Sequence, residues 1–127
     1  MKIAVDTNVL VRYLVWDDKT QATKAVALIE GSDTIVISLI VLCELVWVLK
    51  RAYRYTNNEI GDAVHRLTTS RRVEVDQPAA QAGLVMLARG GDFADGVIEY
   101  ESHRANCHRL VTFDQTFAGL LDRSRGA

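Results

Sequence analysis

The residues of this chain best suited to chemistry are carboxylates that lie far apart in the sequence. They are Asp6, Glu44, Asp95 and Asp114. Each lies in or at the edge of an apolar stretch, and no matching set of lysines or arginines accompanies them. Placing a carboxylate beside a protein core costs free energy unless something pairs with it. Because oxygen ligands of this kind suit hard cations, the pattern predicts a divalent cation, Mg²⁺ or Mn²⁺, as their partner.

The elements that must position these carboxylates are predicted to alternate between strand and helix. Short apolar runs predict strands at residues 2–6, 34–38, 72–75 and 109–112, with helical patterns between them. Strands separated by helices favour a parallel sheet with helices on both faces. We therefore predict an α/β fold in which one domain, residues 1–127, contains a central parallel sheet of about four to five strands.

This architecture predicts a common location for the carboxylates. Asp6 and Asp114 directly follow predicted strands, and Asp95 opens a helix predicted at residues 95–105. Glu44 lies about one turn into the helix predicted at residues 40–53. Active sites of open parallel sheets form at the carboxyl ends of the strands. We therefore expect all four carboxylates to reach one pocket.

Composition places the chain among ordinary globular proteins. Of its 127 residues, 49% are hydrophobic and 24% charged, and the formal net charge of −1 argues against a charge-driven nucleic-acid coat. Cys43 and Cys107 are predicted to be core thiols in a reducing cytosol. Asp6 interrupts the first apolar run, and the apolar segment 35–49 is shorter than the roughly 20 residues of a spanning helix. The expectation is a cytoplasmic protein without a membrane segment.

Several short motifs occur in a fixed order along the chain. They are Val5-Asp6-Thr7-Asn8-Val9-Leu10, Glu44 within an apolar helix, Asp92-Phe93-Ala94-Asp95, and Val111-Thr112-Phe113-Asp114. In this order and spacing they resemble the PIN-domain ribonucleases, over essentially the whole chain. The short length, with nothing appended, resembles the VapC-type toxins of bacterial and archaeal toxin–antitoxin operons.

The resemblance implies a single PIN-like domain that acts as a metal-dependent endoribonuclease. It implies that Asp6, Glu44, Asp95 and Asp114 hold Mg²⁺, with Mn²⁺ as a substitute, and act as the catalytic carboxylates. Such a metal lowers the pKa of a bound water and polarises a phosphoryl oxygen. Two further implied roles belong to Asn8 and Thr112, which would orient a carboxylate or a metal-bound water. The implied partners are an RNA substrate, a VapB-type antitoxin that covers the acidic pocket, and a second copy in a homodimer.

The chain departs from the family pattern in the predicted helix at 95–105. The residue after the third aspartate is commonly Ala in the family, whereas this chain has Gly96. Glu99 and Glu101 stand where small or apolar residues are usual. Asp92 and Glu99 are candidate acids at the rim of the pocket, and Glu99 alternatively pairs with a cation such as Arg104 or Arg109.

Simpler interpretations stand beside the catalytic one. An aspartate after a strand is often a helix cap, and Glu44 could form a buried salt bridge to Lys50, Arg51 or Arg12. Trp16 and Trp47 are expected in the core or in a dimer interface. These readings favour a non-catalytic domain that binds RNA or a protein. A phosphatase of the haloacid-dehalogenase type ranks lower, because it needs a second Asp at the position of Asn8.

Overall fold

A computed structural model of the protein describes residues 1–121, in which strands and helices form two compact units. The first unit is Met1–Asp76 and the second is Gln77–Ala127. The first contains a parallel sheet and helices, and the second contains helices. The predicted α/β fold with a parallel sheet flanked by helices is therefore confirmed. No helix among residues 1–121 is long and apolar enough to cross a membrane.

The first unit is built on a parallel sheet with strand order β1-β2-β3. Its elements are β1 Lys2–Ala4, α1 Thr7–Leu14, α2 Lys19–Glu30, β2 Thr34–Val36, α3 Leu39–Arg51, α4 Asn57–Thr68 and β3 Val73–Glu74. Ile35 in the central strand lies opposite Ile3 on one side and Val73 on the other. Helix α1 packs against α2 and α3, and α3 also packs against α4. Their apolar faces bury residues such as Leu10, Leu42 and Leu45 away from water.

The helices of this unit begin where local side chains satisfy free backbone N–H groups. Ser38 caps α3 by accepting the N–H of Val41, and Thr56 caps α4. The predicted capping box of α4 is confirmed: Thr56 and Glu59 each accept a backbone N–H from the other, at 2.9 and 3.1 Å. The hydrogen bond from the Thr56 backbone N–H is the main reason that the pKa of Glu59 is lowered.

The second unit is dominated by two closely packed helices. Its elements are α5 Gln77–Ala88, α6 Phe93–Arg104 and the short α7 Gln115–Leu120. A side chain at Gly83 would lie 2.6 Å from the buried ring of Phe93, and one at Gly96 would overlap the carbonyl oxygen of Ala82. Glycine at these positions therefore lets α5 and α6 approach closely. This packing gives a physical reason for Gly96, where the family commonly has Ala.

Two predicted elements differ from the structure. Residues 109–112 form no strand, so the described residues contain a three-stranded sheet instead of the predicted four to five strands. Val111 and Phe113 are 68% and 99% exposed, and an exposed run without a hydrogen-bonded neighbour cannot form a sheet. Helix α6 begins at Phe93 with Asp92 as its cap, so Asp95 lies in the first turn and does not open the helix.

Predicted core positions also need correction. Cys107 is exposed and Cys43 is half-buried, and the two do not form a disulfide within residues 1–121. Trp16 and Trp47 are 55% and 61% exposed, so neither belongs to the core. Apolar neighbours alone predict burial for these residues, but a helix or loop in an apolar segment still presents one side to solvent.

Candidate functional site

Asp6 lies at the carboxyl end of β1 and caps α1. Its Oδ1 atom accepts the backbone N–H of Thr7 at 2.7 Å, and the residue is exposed. Capping engages one carboxylate oxygen, so the group retains further lone pairs for another ligand. The predicted position after the first strand is confirmed, and so is the simpler expectation that such an aspartate caps a helix.

The two residues after Asp6 differ in their surroundings. Asn8 is exposed on α1, whereas Thr7 is buried. The Oγ1 atom of Thr7 has no hydrogen-bond partner within residues 1–121. A buried hydroxyl without a partner costs about 1–3 kcal/mol, and a bound water would satisfy it. Thr7 was not among the predicted site residues, although it stands inside the Asp-Thr-Asn motif that drew attention to Asp6.

Glu44 is exposed on α3, contrary to its expected place inside an apolar core. Its exposed neighbours one turn away are Ile40 and Trp47, which lie on the same helical face. Its side chain makes no ion pair in the part of the chain that the structure describes. The buried salt bridge considered for Glu44 is therefore wrong, and Arg12 pairs instead with Asp17 at 2.7 Å.

In the second unit, Asp95 is half-buried in the first turn of α6. Burial is the largest cause that raises its pKa above the ordinary 3.8, followed by the negative charges of Asp92 and Asp114. No cationic side chain among residues 1–121 offsets these effects. The structure thus brings Asp92 and Asp114 close enough to Asp95 to disfavour its negative charge.

Asp114 and Thr112 are joined through the backbone that leads into α7. Asp114 caps α7 by accepting the N–H of Phe117 at 3.0 Å, and its own N–H donates to Oγ1 of Thr112 at 3.0 Å. Asp92 caps α6 by accepting the N–H of Ala94 at 3.4 Å. Thr112 therefore contacts the backbone of Asp114 and can fix how that residue is held.

Glu99 follows Asp95 by one turn of α6 and is half-buried. Its Oε2 atom is buried and has no hydrogen-bond partner among the residues described. No ion pair joins Glu99 to Arg109 among these residues. Among residues 1–121, Glu99 and Thr7 are the two residues with such unpartnered buried side-chain atoms.

The predicted ligands are divided between the units: Asp6 and Glu44 lie in Met1–Asp76, and Asp95 and Asp114 lie in Gln77–Ala127. Within the described residues of either unit, no three His, Cys, Asp or Glu side chains are placed to hold a metal ion. The donor chemistry nevertheless fits a hard divalent cation, because the candidate ligands are oxygen atoms. Taken within their own units, the unpartnered hydroxyl of Thr7 could donate a hydrogen bond to a bound water or accept one from it, and the disfavoured charge of Asp95 would be offset by a cation.

Comparison with known proteins bears on the whole chain. Residues 3–120 match the PIN domain family, and no curated protein matches the chain significantly. PIN domains are usually nucleases that use divalent metals and act on nucleic acids. The match covers 118 of the 127 residues. The matched range includes Asp6, Glu44, Asp95 and Asp114. The chain therefore belongs to the PIN-domain family.

Proposed function

We propose that this PIN domain is a metal-dependent endoribonuclease that hydrolyses RNA phosphodiester bonds. The observation that carries the proposal is the uncompensated negative charge around Asp95, where burial and two neighbouring aspartates raise its pKa. Partial burial of the Asp95 carboxylate costs free energy, and no cationic side chain among residues 1–121 offsets that cost. The fold itself therefore gives no structural reason for the negative charge. Binding a divalent cation is the use that fits these oxygen donors.

We propose Asp6, Glu44, Asp95 and Asp114 as the ligands of Mg²⁺, with Mn²⁺ as a substitute. When bound, such a cation lowers the pKa of water and stabilises the negative charge that develops on the phosphoryl group. The chain's own residues would bind the cation and orient the water and ligands around it. The buried hydroxyl of Thr7 and the exposed amide of Asn8 can hydrogen-bond a water beside Asp6, and Thr112 holds the backbone of Asp114. Asp92 and Glu99 add negative charge at the rim.

The proposal extends to the biological setting. We propose that the protein is the toxin of a type II toxin–antitoxin pair, restrained by a VapB-type antitoxin and acting in the cytoplasm. A homodimer is part of this proposal. In its support, Ile40 and Trp47 on α3 are 73% and 61% exposed, and large apolar side chains on one helical face are typical of protein interfaces.

A non-catalytic domain that binds RNA or a protein is the second candidate. The capping roles of Asp6, Asp92 and Asp114 favour it, because a cap gives each carboxylate a structural purpose. The two candidates differ in what the negative charge does. A cap works equally well with asparagine, whereas a metal ligand needs the carboxylate.

The deciding experiment measures cleavage of end-labelled transfer, messenger and ribosomal RNAs with Mg²⁺, with Mn²⁺ and with EDTA. We expect discrete cuts that need the metal and that fall at least about 100-fold in Asp6→Asn, because a lost ligand weakens the metal site. Asp62→Asn, which changes an exposed aspartate of α4, is the matched control and should cut normally. No cutting by metal-loaded wild-type protein on any RNA would favour the binding domain.

A further inference from the structure

We propose that the groove between α1 and α2 holds a single-stranded segment of the RNA substrate, with Lys24 as its principal phosphate contact. The inference rests on the proposed ribonuclease function and names where that substrate lies. The groove belongs wholly to the first unit and encloses about 450 Å³. It is open to solvent along the two helices, as an extended strand requires.

The groove has polar walls and apolar patches. The polar side chains that line it are Asn8 and Arg12 from α1, and Gln21 and Lys24 from α2. Val9 and the 56% exposed Leu28 add apolar surface. On each helix the lining residues recur at intervals of three and four positions, as at 8, 9 and 12 on α1 and at 21, 24, 25 and 28 on α2, so they form one continuous face. Such a face places hydrogen-bonding and apolar groups side by side along the path of a chain.

The charge of the groove suits phosphate. Its lining includes two cations, Arg12 and Lys24, and no carboxylate. Lys24 makes no ion pair or side-chain hydrogen bond in the described part of the chain, so its ammonium is available. Because Arg12 is ion-paired with Asp17, the unpaired positive charge of the groove lies on Lys24. Phosphates are the anions that lysine and arginine bind in nucleic-acid complexes.

Arg12 is held in place before any ligand binds. Its Nε atom donates to Oε1 of Gln21 and its Nη1 atom to Oδ1 of Asp17, each at 2.7 Å. Asp17 is fixed in turn by the hydroxyl of Tyr53, which donates to Oδ2 at 2.8 Å. A guanidinium has five N–H donors, so others remain for a phosphate. A fixed arginine loses less side-chain entropy on binding than a free one.

The groove leads to one of the proposed metal ligands. Helix α1 begins directly after its cap Asp6, and Asn8 and Arg12 follow along the same helix. With a rise of 1.5 Å per residue, Arg12 lies about 9 Å along the helix from Asp6. A strand that contacts Arg12 and Asn8 therefore runs towards the carboxylate of Asp6.

The mixture of groups favours RNA over an acidic peptide. Asn8 and Gln21 each carry both donors and acceptors, which can pair with the edges of unstacked bases. Val9 and Leu28 offer apolar surface to a base or a ribose. An acidic peptide would bind the cations, but it would make less specific use of the amide groups of Asn8 and Gln21. Single-stranded RNA uses all three kinds of group.

The test compares Lys24→Gln and Lys24→Glu with Lys19→Gln and Lys19→Glu. Lys19 is exposed on the same helix but does not line the groove. Binding of fluorescent transfer, messenger and ribosomal RNAs is measured by anisotropy in EDTA over a range of salt concentrations. We expect Lys24→Gln to lower the slope of log K against log salt by about 0.7, the value of one lost phosphate contact on a single strand. Lys24→Glu should weaken binding at least about tenfold and raise KM while kcat is unchanged.

The outcomes separate this inference from the proposed function. If the wild type cuts RNA and the Lys24 variants match the Lys19 variants, the groove inference is overturned and the nuclease stands. If the wild type does not cut but binds RNA with the Lys24-dependent slope, the nuclease fails and the groove inference is supported. If the Lys24 variants keep RNA affinity but lose binding to polyglutamate, the groove belongs to an acidic protein partner and the inference is overturned. Circular dichroism melts confirm that each variant is folded.

Discussion

At the scale of single residues, helix capping and metal binding compete to explain the same carboxylates. Asp6, Asp92 and Asp114 each accept a backbone N–H at the start of a helix. Such a bond needs an oxygen acceptor but no net charge, and asparagine caps helices about as well as aspartate. The negative charge is therefore the part of these residues that capping does not explain. Exchanging Asp for Asn removes the negative charge and leaves the oxygen that caps the helix.

Glu44 distinguishes a structural role from metal binding more clearly, because no contact in its own unit gives its carboxylate a structural role. It is exposed and makes no ion pair within residues 1–121. We expect Glu44→Gln to change the free energy of unfolding by no more than about 0.5 kcal/mol, as is usual for exposed positions. If Glu44 is a metal ligand, the same variant loses RNA cleavage by about 100-fold or more. Urea unfolding and single-turnover cleavage measure the two effects.

Glu101→Gln is the matched control for this prediction. Glu101 is also an exposed helical glutamate, but it lies outside the proposed ligand set. Normal cleavage by both variants would remove Glu44 from the site. A loss of several kcal/mol in unfolding free energy for Glu44→Gln would instead assign it a structural role.

At the scale of elements, the packing of α5 against α6 depends on glycine. A Cβ atom at Gly96 would overlap the Ala82 carbonyl oxygen and lie 2.8 Å from Cβ of Met86, both on α5. We expect Gly96→Ala to lower the unfolding free energy by about 1–3 kcal/mol, the usual cost of overpacking. This loss occurs although alanine is intrinsically the better helix former by about 1 kcal/mol. Urea unfolding with intrinsic fluorescence or circular dichroism measures the change.

Gly61→Ala is the corresponding control within a helix. Gly61 lies in α4, and a Cβ atom there has no neighbour within 4 Å. Alanine should therefore raise stability at this position, by up to about 1 kcal/mol. If Gly96→Ala were equally stabilising, the close approach of α5 and α6 would not require glycine.

Features defined by nearby residues can be predicted completely from the sequence. The capping box of α4 joins Thr56 and Glu59, three positions apart, so its signal is complete within one turn. A strand is different, because it exists only if a distant segment pairs with it. Residues 109–112 have the apolar character of a strand, yet they have no strand neighbour in the described structure. Sequence alone could not distinguish these two cases.

At the scale of the whole molecule, the predicted site also contains features that sequence alone does not predict. The order of the motifs indicated the family, which the match over residues 3–120 confirms. Exposure was harder to predict, because α3 is apolar on nearly every side and its sequence does not reveal that Glu44 and Trp47 face solvent. The repulsion of Asp95 by Asp114 also required the structure, since the two residues are 19 positions apart in sequence and only folding brings them together.

Asp95 shows how the proposed function would bear on the stability of the whole protein. Because its folded-state pKa is raised above the ordinary 3.8, the folded protein binds this proton more tightly than the unfolded chain. Stability therefore falls as the pH rises through the interval above 3.8, and at neutral pH the charged carboxylate is destabilising. We expect Asp95→Asn to raise the unfolding free energy at pH 7 by at most about 1 kcal/mol, since the group is partly exposed and screened.

The Asp95→Asn variant should gain less thermal stability from a bound metal ion than the wild-type protein does. A cation that binds only the folded wild-type protein stabilises it by about 2.7 kcal/mol when its concentration is 100 times the Kd. Thermal melts at pH 7 with Mn²⁺ and with EDTA measure this gain, and Asp62→Asn serves again as the control. We expect Asp95→Asn to have the higher Tm in EDTA and the smaller gain from Mn²⁺. Equal gains in both proteins would remove Asp95 from the metal site, and a lower Tm in EDTA would show that its charge is not destabilising.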